Sequence, residues 1–179
     1  MAARETMAGL IERLRVEIGD PAGGEAVWSE EELQAALDRR RTDARYVPLA
    51  PVESVAPGGA ISYMAYRADA GDWEEGAELV DGGWATLEPE TADCLNGRWT
   101  FAESVPPPVL LTGARYDVAA AAADVLEAWA ARVKLEFDFT TGDQRFERRQ
   151  KLAGLLAAAR LQRARQAPAA AGMVRGDAR

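Results

Sequence analysis

The sequence predicts an α+β fold, mainly α: a helical bundle of about four helices with a small antiparallel β module inserted between helices two and three. Three observations predict it. Apolar residues recur at helical spacing near both ends of the chain, as in Leu10, Ile11, Leu14 and Ile18. Between Val47 and Ala114 the composition changes, and Pro48, Pro51, Pro57, Gly58 and Gly59 break helix and punctuate strands. The stretch Tyr116 to Arg165 then reads as helix, short strand, turn and second helix, with a basic end.

In order, residues 6–18 form the first helix, with Met7, Leu10, Ile11, Leu14 and Ile18 as its apolar stripe. Gly19-Asp20-Pro21 stops it as a glycine C-cap followed by proline does. The second helix starts at Ser29, which forms a capping box with Glu32, while Trp28 staples onto Leu33. Leu33, Ala36 and Leu37 face inward, and the helix runs to about Arg45, with Arg39, Arg40 and Arg41 at the negative pole of its dipole.

Strands are predicted at Ile61–Tyr66, Gly76–Val80, Trp84–Leu87, Arg98–Phe101 and Val109–Thr112. Asp81-Gly82-Gly83 and Asn96-Gly97 supply turns, and Pro106-Pro107-Pro108 a stiff connector. In the third helix Val118, Ala122, Val125, Trp129 and Val133 mark one face, and the alanines between them keep the surface thin enough for close helix packing. Leu135-Glu136-Phe137-Asp138-Phe139 alternates like a half-buried strand, and Thr140 to Asp143 carries turn chemistry. Phe146, Leu152, Leu155, Leu156 and Ala159 then resume a helical face. The division that follows is 1–46 and 116–166 for the two parts of the helical core, 47–115 for the inserted β module and 167–179 for a flexible tail.

Composition narrows the chemistry. Histidine is absent and Cys94 is the only cysteine, which removes Ser-His-Asp and Cys-His nucleophiles, imidazole-dependent zinc sites and intrachain disulfides. No phosphate-binding glycine loop occurs, and no apolar run approaches the roughly 20 residues a membrane span requires. The first residues lack the apolar core of a signal peptide, so the expectation is synthesis in the cytoplasm. Separately, no cofactor and no metal are expected. A net charge of −8 hides an asymmetry: residues 47–117 hold 12 acids against 3 bases, and residues 141–179 hold 9 bases against 3 acids. Opposed segments of this kind suit head-to-tail self-assembly or docking on an acidic partner, although a solvated surface accounts for them equally well.

Two sets of residues qualify as binding surfaces. Arg145, Arg148, Arg149, Lys151, Arg160, Arg163 and Arg165 form a basic C-terminal helix, the only nucleic-acid patch on offer, and it lacks interleaved aromatics beyond Phe146. Trp73, Trp84, Trp99 and Trp129 are candidates for a protein interface or for core. As a sugar- or base-stacking platform, Trp73, Trp84 and Trp99 lead to the alternative reading, a carbohydrate- or peptide-binding module. Asp72, Glu74, Glu75 and Glu78 are read as solvated strand-edge acids rather than a cation site, and a carboxylate hydrolase built on Glu74, Glu75 or Glu88 ranks last.

Four segments carry a family resemblance: Leu10 to Asp20, ending Leu14-Arg15-Val16-Glu17-Ile18-Gly19-Asp20, Trp28 through Leu37, Tyr116-Asp117 with the alanine run to Trp129-Ala130, and Phe137-Asp138-Phe139 through Gly142-Asp143 to Arg148-Arg149-Gln150-Lys151. In order and spacing they resemble the head–tail adaptor, or connector, proteins of long-tailed bacteriophages. The resemblance covers only the helical parts. It implies a non-enzymatic virion protein of the neck, assembled in the host cytoplasm. Such adaptors form a ring, commonly of twelve copies, beneath the portal protein. The ring extends the channel through which DNA passes without sequence-specific binding, and it docks a tail-side stopper or tail protein. By the same analogy the basic helix and tail face the portal.

Overall fold

The computed structural model describes residues 2–24, 26–55, 59–135 and 144–166, the side chains of 144–148 excepted. A short 3-10 turn, Glu5–Met7, leads into helix α1, Ala8–Ile18. Gly19 ends α1 in the left-handed region (φ 70°), where its N–H donates back to the carbonyls of Arg15 and Val16. Helix α2, Glu30–Asp38, opens on the expected capping box between Ser29 and Glu32. Its end differs from expectation. The chain leaves the helix at Asp38, and Arg41–Pro48 forms strand β1 instead of a last helical turn. Pairing with a strand some seventy residues downstream overrides the helix propensity of the arginine-rich stretch.

The remaining strands are β2 (Ala50–Val55), β3 (Ile61–Arg67), β4 (Glu78–Asp81), β5 (Thr86–Leu87), β6 (Thr91–Asp93), β7 (Arg98–Thr100) and β8 (Val109–Tyr116), followed by α3 (Val118–Leu135) and α4 (Gln144–Arg165). The expectation of a mainly helical bundle with a small β module is therefore wrong. Among the described residues four α-helices accompany eight strands, at about 39% helix and 28% strand. The strands form two antiparallel four-stranded sheets, ordered β1-β8-β4-β5 and β2-β3-β7-β6. The alanine-rich helices dominate the sequence pattern, whereas β1, β2 and the three-residue β6 take their identity from partners distant in the chain. Beyond Leu135, which ends α3, the strand expected over 135–139 lies outside the described residues, as do the turn at 140–143 and the tail at 167–179.

The two sheets share a core. Leu79, Val109 and Leu111 of the first meet Tyr66 and Trp99 of the second, together with Leu49, Trp73, Cys94 and Phe101. Leu49 sits where the chain passes from one sheet to the other. Its side chain is buried and its N–H donates to the Val109 carbonyl, so β1 and β2 are one strand bent across both sheets. The division expected at residues 46 and 47 therefore falls inside β1. Gly71 lies where a Cβ would sit 2.2 Å from the Leu95 carbonyl oxygen, so no side chain fits there.

The helices bury a second core. Val118, Ala121, Ala122, Val125 and Leu126 of α3 meet Leu10, Ile11 and Leu14 of α1, Leu33, Ala36 and Leu37 of α2, and Ala159 of α4. Small side chains on α3 let its neighbours approach from several sides, which is why Ala120 through Ala123 are all buried. Ala114 and Tyr116, at the end of β8, join this cluster and tie the first sheet to the helices.

A hydrogen-bonded cluster closes the same junction. Glu74 accepts from Arg4 Nε at 3.1 Å, from the Thr6 hydroxyl at 2.7 Å and from the Tyr116 hydroxyl at 2.6 Å. Arg4 also reaches Asp38 of α2 at 2.7 Å. Burial alone would raise the Glu74 pKa, but the Tyr116, Thr6 and Arg4 hydrogen bonds together hold it below the usual range. Glu74 is thus an anion at a structural joint, not a solvated edge acid.

Candidate functional site

Of the seven cations expected to form one binding helix, Arg145 and Arg148 have side chains outside the described residues. Arg163 and Arg165 are taken up by the chain's own fold. Arg163 Nη2 lies 2.6 Å from Asp124 and 3.0 Å from Glu127 on α3, and Arg165 Nη1 lies 2.7 Å from Glu17 on α1. Asp124 also accepts two hydrogen bonds from Arg40, so it ties the approach to β1 and helix α4 to α3. Arg149, Lys151 and Arg160 are exposed without ion pairs among the described residues, and Lys151 Nζ stands 5.7 Å from the Trp129 ring. The cations left for a partner among the described side chains are therefore Arg149, Lys151 and Arg160, not the whole charge of α4.

The tryptophans divide in the same way. Trp73 and Trp99 are buried in the sheet core, and half-buried Trp129 packs against the helical core. A platform of Trp73, Trp84 and Trp99 is not a surface of this molecule. Only Trp84 is open, at 63% exposure.

Trp84 does not stand alone. It makes an edge-to-face pair with Tyr46, ring centres 5.0 Å apart and planes at 86°. Both residues adopt left-handed backbone conformations, φ 53° at Tyr46 and φ 68° at Trp84. For bulky side chains this costs about 1–2 kcal/mol each. Local bonding enforces it. Tyr46 occupies the irregularity in β1 between Ala44 and Val47, and its N–H donates to the Thr112 hydroxyl. In the β4–β5 turn the Asp81 carboxylate accepts from Gly83 N and Ala85 N, and the Trp84 N–H donates to the Asp81 carbonyl. Two strained backbones thus hold two large rings in solvent. Trp84 was legible as an interface candidate. Tyr46 was not, because its partner comes from a strand irregularity that local patterning does not reveal.

A second open surface lies at β2, an edge strand in which every residue is exposed. Val52 and Val55 on it, with Ile61 and Met64 on β3, are exposed apolar side chains. The charge that usually blunts such an edge is limited here to Glu53, with Pro51 removing one donor.

The remaining acids form no catalytic pair. Asp72 lines a cleft of about 200 Å³ with Arg13, Glu17, Arg115, Asp117 and Arg165, at the start of α3. Arg13 Nη1 lies 2.9 Å from Asp72 Oδ1, close enough for an ion pair but too far out of line for a hydrogen bond. Burial raises the Asp72 pKa, against the pull of Arg13 and Arg115. Opposite charges are interleaved around this cleft, so it reads as a brace between α1, the end of β8 and α3. Burial likewise pushes the Cys94 thiol up, which leaves it a poor nucleophile. Among the described residues no group of three or more Asp, Glu or Cys is arranged to hold a metal ion, and no helix is long and apolar enough to cross a membrane. No protein-family model, curated protein or solved structure matches the chain.

Proposed function

We propose that this protein is a structural assembly component: a head–tail adaptor that forms a ring under a phage portal, extends the DNA channel and docks a tail-side protein. The observation that carries the joining role is the Tyr46–Trp84 pair. A monomer has no use for two strained, solvent-exposed rings, whereas buried aromatics are the usual anchors of a protein interface. The exposed apolar edge at β2 and the unpaired cations of α4 supply further, chemically different surfaces. A closed ring needs two unlike patches on each subunit. The acidic surface of residues 47–117 suits a channel through which DNA slides without being held. The phage identity itself rests on the resemblance of the helical segments.

Native mass measurement of the purified chain, alone and mixed with portal rings, tests the reading. The expected result is a discrete ring or a stoichiometric complex with portal. The double substitution Tyr46→Ala and Trp84→Ala should weaken it about 30-fold, the loss of one anchor worth about 2 kcal/mol. A chain that stays monomeric at all concentrations and ignores portal would remove the proposal.

A further inference from the structure

The outer face of the second sheet carries a feature that the sequence does not announce. Register places Ala65 opposite both Val52 and Thr100, and Arg67 directly opposite Arg98. Strand alternation turns these side chains away from Tyr66 and Trp99, which are buried in the core. The result is a groove of about 380 Å³ lined by Val52, Ala65 and Thr100 and by the two arginines Arg67 and Arg98, with Tyr66 and Trp99 also bordering it.

Like charges facing each other on neighbouring strands are destabilising. Neither Arg67 nor Arg98 makes an ion pair among the described residues, and Asp93, across from Arg98 on β6, gives its carboxylate to Asn96. Yet residues 47–117 hold 12 acids and only one further base, Arg115, which lines the cleft beside Asp72. The one basic island on an acidic region is kept open.

We infer that this groove is a docking site for an acidic segment of a second copy of the chain, so that each copy receives its neighbour's carboxylates between Arg67 and Arg98. The inference rests on the ring reading and supplies one of its contacts. Without such an island, two copies bringing these acidic regions together would repel each other. Two arginines on adjacent strands offer forked guanidinium groups to a pair of carboxylates, and Val52 and Ala65 give an accompanying apolar residue a seat.

The test compares wild type with Arg67→Ala/Arg98→Ala and with Arg67→Glu, by native mass measurement and light scattering, alone and on portal rings. The double alanine variant should associate about tenfold more weakly, and wild-type association should weaken as salt rises. Arg67→Glu creates an opposite-charge pair across the strands. Its Tm should rise by a few degrees while its association falls, a combination that misfolding cannot produce. If wild type assembles and both variants assemble equally well, the groove inference is overturned and the adaptor reading stands. If wild type assembles under neither condition, both are overturned. Association lost on portal but retained between free copies would assign the groove to portal and overturn the second-copy occupant.

Discussion

The helices and the sheets of this molecule treat charge in opposite ways. In the helical layer, Arg15 pairs with Asp20, Arg40 and Arg163 share Asp124, Arg165 pairs with Glu17, and Arg132 pairs with Glu32 while its guanidinium lies 3.8 Å from the Trp28 ring. On the strands, Arg41 with Asp43 is the one ion pair among the described residues, and Arg67, Arg98 and most strand acids face solvent. The difference follows from the cores. An alanine-lined helix buries little area per contact and has few large knobs to fix its orientation, so ion pairs set how the helices sit. Trp73, Trp99, Tyr66 and Phe101 lock the sheets by shape, which leaves the surface charge there available to other molecules.

The contrast is broken hardest at Asp20. Its carboxylate accepts from Arg15 Nη1 and from the backbone N–H groups of Val27 and Trp28, and both ionic side chains are nearly enclosed, at 6% and 3% exposure. Asp20→Ala strands a buried guanidinium and should destabilise by about 3–5 kcal/mol in urea unfolding. A loss below about 1 kcal/mol would mean that the helical layer does not depend on its charges.

A smaller effect is expected at Asp124 and under acid. Burial would raise the Asp124 pKa, but hydrogen bonds from Arg40 and Arg163 hold it below the usual range, and the hydrogen bond from Arg165 chiefly lowers that of Glu17. Depressed folded values mean that the unfolded chain binds these protons first. Their stabilisation is complete above the ordinary values of 3.8 and 4.5 and is lost as pH falls below them. Asp72, raised by burial, runs the other way and favours the folded state in acid. Asp124→Asn should cost about 1–2 kcal/mol at pH 7 and flatten the acid limb of the stability curve. An unchanged acid limb would argue against the clamp.

The smallest effect belongs to the sheets' exposed pair. Trp84→Gly relieves about 1–2 kcal/mol of left-handed strain and gives up about 0.5–1.5 kcal/mol of ring pairing, so Tm should scarcely move. A strongly lowered Tm would show that Trp84 supports its own fold and would blur the division between the two regions.

Local chemistry was legible where it acts locally. The Gly19 stop, the Ser29 capping box and the centres of β3, β4, β7 and β8 follow from nearby residues. β1 and β2 do not, because arginine-rich and proline-containing stretches become strands only through a distant ladder. The same limit applies to the surfaces. Trp84 stood out by residue type, whereas Arg67 faces Arg98 only after β3 and β7 pair, and Arg163 looked free until α4 met Asp124.

The bend at Leu49 has a practical consequence for anyone dissecting the gene. A fragment starting at residue 47 would sever β1 midway and leave Arg115 and Tyr116 of β8 without their ladder partners Thr42 and Arg41. Excision of the sheets as a freestanding unit should begin no later than Arg41, and a tag or insertion placed between residues 48 and 50 would pry the two sheets apart at their shared seam.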